Sequence, residues 1–209
     1  MKRSMRWFSG LVSLILLPMA GCAGTGEVVP LDLRAIPPVV GQEVQQGESA
    51  TFLVMPFEDQ RPQKNPVGLR THFWGGVTYF DVPGGKPGDV LPHVLAEYLK
   101  QKGWQAEVGQ TGKAGASDVT LTGQVQEFTA HAKSRFGSTV ITVALKVALQ
   151  ARNAADRSTT KMTLEGTRMQ TVFWFEPQDV QDLVAATLTE GLTKLMADAK
   201  VEGRSLRLK

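Results

Sequence analysis

Hydrophobic and polar residues alternate along this chain with two different periods, and the switches between them outline a fold. Residues 51–57 (TFLVMPF) form an apolar run closed by Pro56 and the polar turn Glu58, Asp59, Gln60, Arg61, which reads as a strand. After a Pro- and Gly-marked loop, an aromatic segment at 72–80 has strand character, with Gly75 and Gly76 interrupting it. Helical spacing takes over near Asp89, whose carboxylate suits a helix cap and puts Pro92 in the first turn. Leu91, Val94, Leu95, Tyr98 and Leu99 share one face of this helix, and Gly103 stops it. A short strand at 104–108 and a Gly-rich loop to Ser117 follow.

Period two then dominates. The spacing predicts a meander of three antiparallel strands over 118–131, 139–152 and 159–175, with turns around Gly137 and at 153–157. In the first of these, Val119, Leu121 and Val125 are followed by Phe128, a phase shift that predicts a β-bulge. In the third, Met162 and Leu164 give way to Met169 and Phe173, again out of phase. A closing helix spans 177–199, with Pro177 at its first position and Val180, Leu183, Val184, Leu188, Leu192, Leu195 and Met196 along one stripe. Each amphipathic helix must bury a face, so the expected fold class is α+β: a mainly antiparallel sheet with two amphipathic helices packed on one side. The expected folded domain covers 49–200, and the basic tail 201–209 is expected to fray.

The first residues follow neither period. Lys2, Arg3 and Arg6 precede an apolar stretch from Trp7 to Leu17, then Ala20, Gly21 and Cys22, an arrangement that reads as a secretory signal peptide over 1–21. The apolar stretch is short of the roughly 20 residues that span a bilayer. Met19, Ala20, Gly21 and Cys22 resemble the lipobox of bacterial lipoproteins, with Met19 where Leu is usual. That resemblance implies cleavage before Cys22, lipid on its sulfur and acylation of the new amino terminus. Cys22 is also the single cysteine of the chain, so no internal disulfide competes for it. Ala23 follows in place of the Asp that favours inner-membrane retention in such lipoproteins, which implies an outer-membrane anchor with the domain in the periplasm. The glycines, prolines and glutamines of 23–48 read as a flexible tether, while Leu31, Leu33 and Ile36 leave open an ordered arm packed on the domain.

Processing changes the charge. The whole chain has 23 basic and 20 acidic residues and a pI near 9.1; without Lys2, Arg3 and Arg6 the basic count falls to 20, equal to the acidic count. No basic stripe survives to suggest nucleic acid as a partner.

A wider resemblance rests on Val54, Met55, Pro56, Phe57, Asp59 and Arg61, on the helix ending at Gly103, on 117–125 (SDVTLTGQV) and on the closing helix. Over roughly 50–200 these elements resemble YajG-type outer-membrane lipoproteins, with broader similarity to the synthase-activating lipoprotein LpoB and the N-terminal domain of TolB. The resemblance implies a compact α+β module that binds an envelope protein, and it supplies no catalytic residues to carry over.

Chemistry-bearing patterns are sparse. His72, His93 and His131 lack the spacing of metal ligands, and neither a nucleophile elbow nor a phosphate or dinucleotide fingerprint is present, so no cofactor is expected. Glu58 and Asp59 point apart on an extended chain, which favours a turn role over an acid–base pair. Phe73, Trp74, Tyr79 and Phe80 are the candidate partner surface, against the more frequent role of aromatics as core. The leading expectation is a non-catalytic protein-binding or scaffolding lipoprotein. A carrier of lipid or another apolar ligand, enclosed between helices and sheet, is the alternative. An envelope hydrolase is the third reading, and it requires histidines and acids to converge.

Overall fold

The computed structural model describes residues 26–34, 50–84, 86–110 and 117–209. The signal segment, the lipobox residues Met19, Ala20 and Gly21, and Cys22 lie outside the described residues.

Three long strands dominate: β7 (Val119–Arg135), β8 (Ser138–Asn153) and β9 (Thr159–Val172). They form the expected antiparallel meander, with β8 between the other two. The predicted bulge falls between Val125 and Glu127. It returns Phe128, Ala130 and Ala132 to the face already occupied by Val119, Leu121 and Val125, and all six are buried.

The second edge of β7 takes three short strands in succession, each parallel to it. These are β2 (Thr51–Val54), β3 (Glu58–Asp59) and β4 (Gly68–Thr71), opposite 119–121, 124–125 and 130–133. Beyond β2 lies β6 (Gln105–Val108), also parallel. Antiparallel to β4 runs β5 (Val77–Asp81), and parallel to β5 runs β1 (Glu27–Pro30). The sheet is thus mainly antiparallel, with parallel pairing along one flank. Asp59 and Glu58 form β3 where a turn is expected. Arg61 explains the local geometry: its buried guanidinium donates to both Asp59 carboxylate oxygens at 3.0 and 2.9 Å and to the Phe128 carbonyl at 3.3 Å.

Both helices lie on one face of the sheet, and the α+β expectation holds. Helix α1 (Pro87–Gln101) packs on β6, β2 and β7, and α2 (Pro177–Ala197) packs on β9 and β8. The start of α1 lies earlier than expected. Asp89 is the third residue of the helix and accepts the Lys86 N–H at 3.2 Å, so Pro92 sits in the second turn. Pro92 cannot donate to the Gly88 carbonyl four residues back. The Phe57 N–H fills that vacancy at 2.9 Å, and a Cβ on Gly88 would lie 2.4 Å from the Phe57 oxygen. A proline and a glycine thereby join α1 to the chain between β2 and β3.

The chain ends differ from a tether and a frayed tail, the first in favour of the ordered arm that Leu31 and Leu33 leave open. Residues 27–33 are an ordered arm and not tether: β1 joins the sheet, and Leu31 and Leu33 are fully buried. Gln181 of α2 clamps the arm by accepting the Asp32 N–H at 2.8 Å and donating back to the Asp32 carbonyl. The tether residues 35–48 lie outside the described residues. The tail does not fray. A hairpin of β10 (Ala199–Glu202) and β11 (Ser205–Leu208) turns at Gly203 and Arg204, both at positive φ. Its Leu206 is buried, and fully buried Asn153 accepts the Leu206 N–H at 2.8 Å and donates to its carbonyl at 3.1 Å. The domain therefore extends past residue 200.

Replacing Asn153 with Ala leaves the Leu206 N–H buried without its acceptor, which costs about 1–3 kcal/mol. Urea unfolding of N153A should report that loss, and hydrogen exchange should show the Leu206 amide exposed long before those of β7.

Candidate functional site, an aromatic tip at one end of the sheet

Register brings three separated turns together. Thr71 of β4 pairs with Lys133 of β7, Arg135 of β7 pairs with Ser138 of β8, and Thr139 of β8 pairs with Val172 of β9. The 72–76 turn, the Phe136-Gly137 turn and residues 173–175 therefore emerge at the same end of the sheet. Each carries aromatic rings. Trp74 is 89% exposed, Phe136 88%, Trp174 81%, Phe173 71% and Phe73 47%. Exposed apolar side chains are ordinary when scattered, but a contiguous group of large rings marks an interaction surface.

The rings touch one another. Phe73 lies 4.6 Å from Trp74 and 6.3 Å from Phe136 between centroids, and Phe173 lies 5.4 Å from Trp174, all three pairs edge to face. A Cβ on Gly137 would lie 3.9 Å from the Phe173 ring, which links the two groups across the β7–β8 turn. Beneath them Arg70 places its guanidinium 3.9 Å over Phe175 and donates to the Ser134 hydroxyl at 3.0 Å. Gly75 and Gly76 both have positive φ, so this loop needs glycines for its geometry. The N–H groups of His72 and Gly75 donate to the carbonyls of Gly76 and His72, each at 3.2 Å, which closes the loop on itself.

The four aromatics of the candidate surface separate. Phe73 and Trp74 stand in the turn, Tyr79 is half-buried in β5, and Phe80 is fully buried in the core. Phe80 is therefore no part of a partner surface, because alternation in β5 turns it to the helix side. Phe136, Phe173 and Trp174 were not among the candidates. The signal for Phe173 was the phase change in the third meander strand. The β8–β9 register runs unbroken from Thr139↔Val172 to Arg152↔Thr159, so no bulge absorbs that change. Met169 and Phe173 accordingly face solvent.

The remaining candidates stay apart. His93 is exposed on α1 and His131 on the outer face of β7. His72 bonds the Thr78 hydroxyl at 2.8 Å, but Thr78 is buried, so that hydroxyl is closed to an external substrate. No group of three or more metal-ligating side chains occurs among the described residues. Glu58 turns outward to Gln60 and Gln124 while Asp59 turns inward to Arg61, so the two carboxylates diverge. Arg61 holds the Asp59 carboxyl below the usual carboxylate range. The space between helices and sheet, where an apolar ligand would sit, is filled by Leu91, Leu95, Leu99, Phe128, Leu188 and Leu192, all nearly inaccessible. A concavity of about 740 Å³ on the opposite face is lined by polar groups including Glu58, Gln124, Gln150 and Lys161. Among the described residues, no helix is long and apolar enough to cross a membrane.

No family model matches the chain, and no curated protein does. Solved structures similar to it include protein XCC0632 from Xanthomonas campestris, of the DUF330 family, at 16% identity, covering 82% of this chain and 90% of that one with a TM-score of 0.47. Lipoprotein GNA1162 from Neisseria meningitidis is 12% identical, with 68% and 96% covered and a TM-score of 0.35. A Helicobacter pylori homologue of the neuraminyllactose-binding hemagglutinin is 8% identical, with 74% and 89% covered and a TM-score of 0.37.

Burial and the Arg70 charge lower the His72 pKa from 6.5, and Glu27 opposes them. The unfolded chain thus binds a proton that the folded tip resists. The contribution of His72 to stability is complete above pH 6.5 and is lost as pH falls toward the lower folded value. Denaturation midpoints should rise with pH through that window, and H72Q should flatten this part of the profile. An NMR titration of His72 with a midpoint above 6.5 would contradict the assignment.

Proposed function

We propose that this chain is a lipid-anchored lipoprotein of the bacterial envelope, held in the outer membrane through Cys22, whose domain is a non-catalytic binding or scaffolding module working through the aromatic tip. The observation that carries the reading is the convergence of five exposed rings from three turns on one end of a rigid sheet. A core packed this densely has no need to leave two tryptophans in water. Aromatic side chains that stay exposed while resting on ordered backbone suit docking, since little conformational freedom remains to be lost on contact. The Cys22 anchor, the YajG-type affiliation and an envelope protein as partner class belong to the same proposal and rest on the sequence patterns. The carrier alternative receives less support, because the interior it would use is filled.

Two measurements test the reading. The mass of the mature protein should include acyl chains on Cys22, and C22S should leave the membrane fraction. Wild-type protein that is soluble after lysis with a bare thiol would sink the anchor. Photo-cross-linkers at positions 74 and 174 should give adducts in cells, while the same group at exposed Lys100 on α1 gives few. Equal labelling at all three positions would remove the tip from the account.

A further inference from the structure

The place where the chain joins the fold says what the tip meets. Gly26 donates its N–H to the Val77 carbonyl at 2.8 Å, and Glu27 pairs with Thr78 at the start of β5. Val77 is the residue that follows the 72–76 turn. The sheet therefore receives the N-terminal arm at the end that bears the aromatic rings, and β1 runs away from the rings, parallel to β5. Cys22 precedes Gly26 by four residues, which reach at most about 14 Å when extended. Three residues, 23–25, are all the chain that separates Cys22 from the point where Gly26 joins the sheet. A lipid on Cys22 draws the tip, and no other end of the domain, toward the bilayer.

The chemistry of the tip suits that location. Its rings stand on protruding turns, where a bilayer can receive them, instead of lining a concave groove shaped for a peptide. Tryptophan and phenylalanine on such turns match the headgroup layer, where aromatic side chains concentrate at membrane–water boundaries. The turns 72–76 and 136–137 contain no acidic residue. Lys133 and Arg135 are exposed on the strand leading into the second turn, and basic groups there are attracted by anionic headgroups. Glu176 directly follows Phe175, and it is exposed, as is Glu27 at the start of β1.

We infer that the tip is a membrane-interface contact: Trp74 and Trp174, with Phe73, Phe136 and Phe173, seat in the headgroup layer of the leaflet that holds the Cys22 lipid. This goes beyond the reading above: it rests on the lipid anchor and takes the membrane, not an envelope protein, as what the tip meets. The acyl chains supply the attachment, and the rings supply a fixed orientation, with the Arg135 end of β7 at the bilayer surface and the Val119 end remote from it.

The test uses the mature full-length lipoprotein in vesicles of phosphatidylethanolamine and phosphatidylglycerol whose acyl chains carry bromine, a short-range quencher of tryptophan. Trp7 leaves with the signal, and buried Trp104, packed on Phe52 at 5.5 Å, is the internal reference. Wild-type emission should shift to the blue and fall by about half or more, as expected for rings in the interfacial layer. The W74F/W174F variant, which keeps only Trp104, should be quenched little. Unquenched wild-type emission from protein whose mass shows lipid on Cys22 overturns the inference and leaves the anchor standing. Cross-links from 74 and 174 to one protein, with no quenching, overturn it in favour of a protein partner. A bare thiol at Cys22 in the purified mature protein removes the anchor and the inference together.

Discussion

Everything in this domain is organised by one strand that pairs along both of its edges. β7 gives one edge to β8 over nearly its whole length and the other, in succession, to β2, β3 and β4. Seventeen residues of strand extend about 55 Å at the usual rise per residue. A strand that long strains flat pairing, and the bulge after Val125 lets it bend while its buried side chains stay on one face. Because β2, β3 and β4 are too short to persist alone, their positions are inherited from β7, as are those of the loops between them.

The helices close the other side of the same core. α2 approaches β9 very closely. A Cβ on Gly191 would lie 2.9 Å from a Leu164 methyl, and one on Gly166 would lie 2.9 Å from a Thr187 methyl. Two glycines facing opposite directions across this contact let helix and strand interdigitate. The Tyr98 and Thr193 hydroxyls meet at 3.4 Å between α1 and α2. Layer order therefore follows from where the small residues permit contact as well as from the apolar stripes.

How much of this was legible in the chain varies with element length. The meander and both helices could be read because long amphipathic periods repeat many times. β1, β10 and β11 could not. Each has four residues, and their fixation depends on partners remote in sequence, Val77 for the arm and Asn153 for the tail. The aromatic tip was half legible. Phe73 and Trp74 stood out by type, but their joining with Phe136, Phe173 and Trp174 is a product of register, which no local window contains. Phe80 illustrates the converse: it shares composition with its neighbours and differs from Tyr79 only in which side of β5 it occupies.

The tail hairpin sets the polarity of the whole molecule. Arg204 bonds Asp118 at 2.9 Å, and Leu206 is clasped by Asn153, so the carboxyl terminus is fixed beside the first residues of β7. The arm, by contrast, joins the sheet beside its last. Start and finish of the described chain thus occupy opposite poles of the long axis, and anything fused after Lys209 would sit at the pole remote from Trp74 and Trp174, free of steric interference with them.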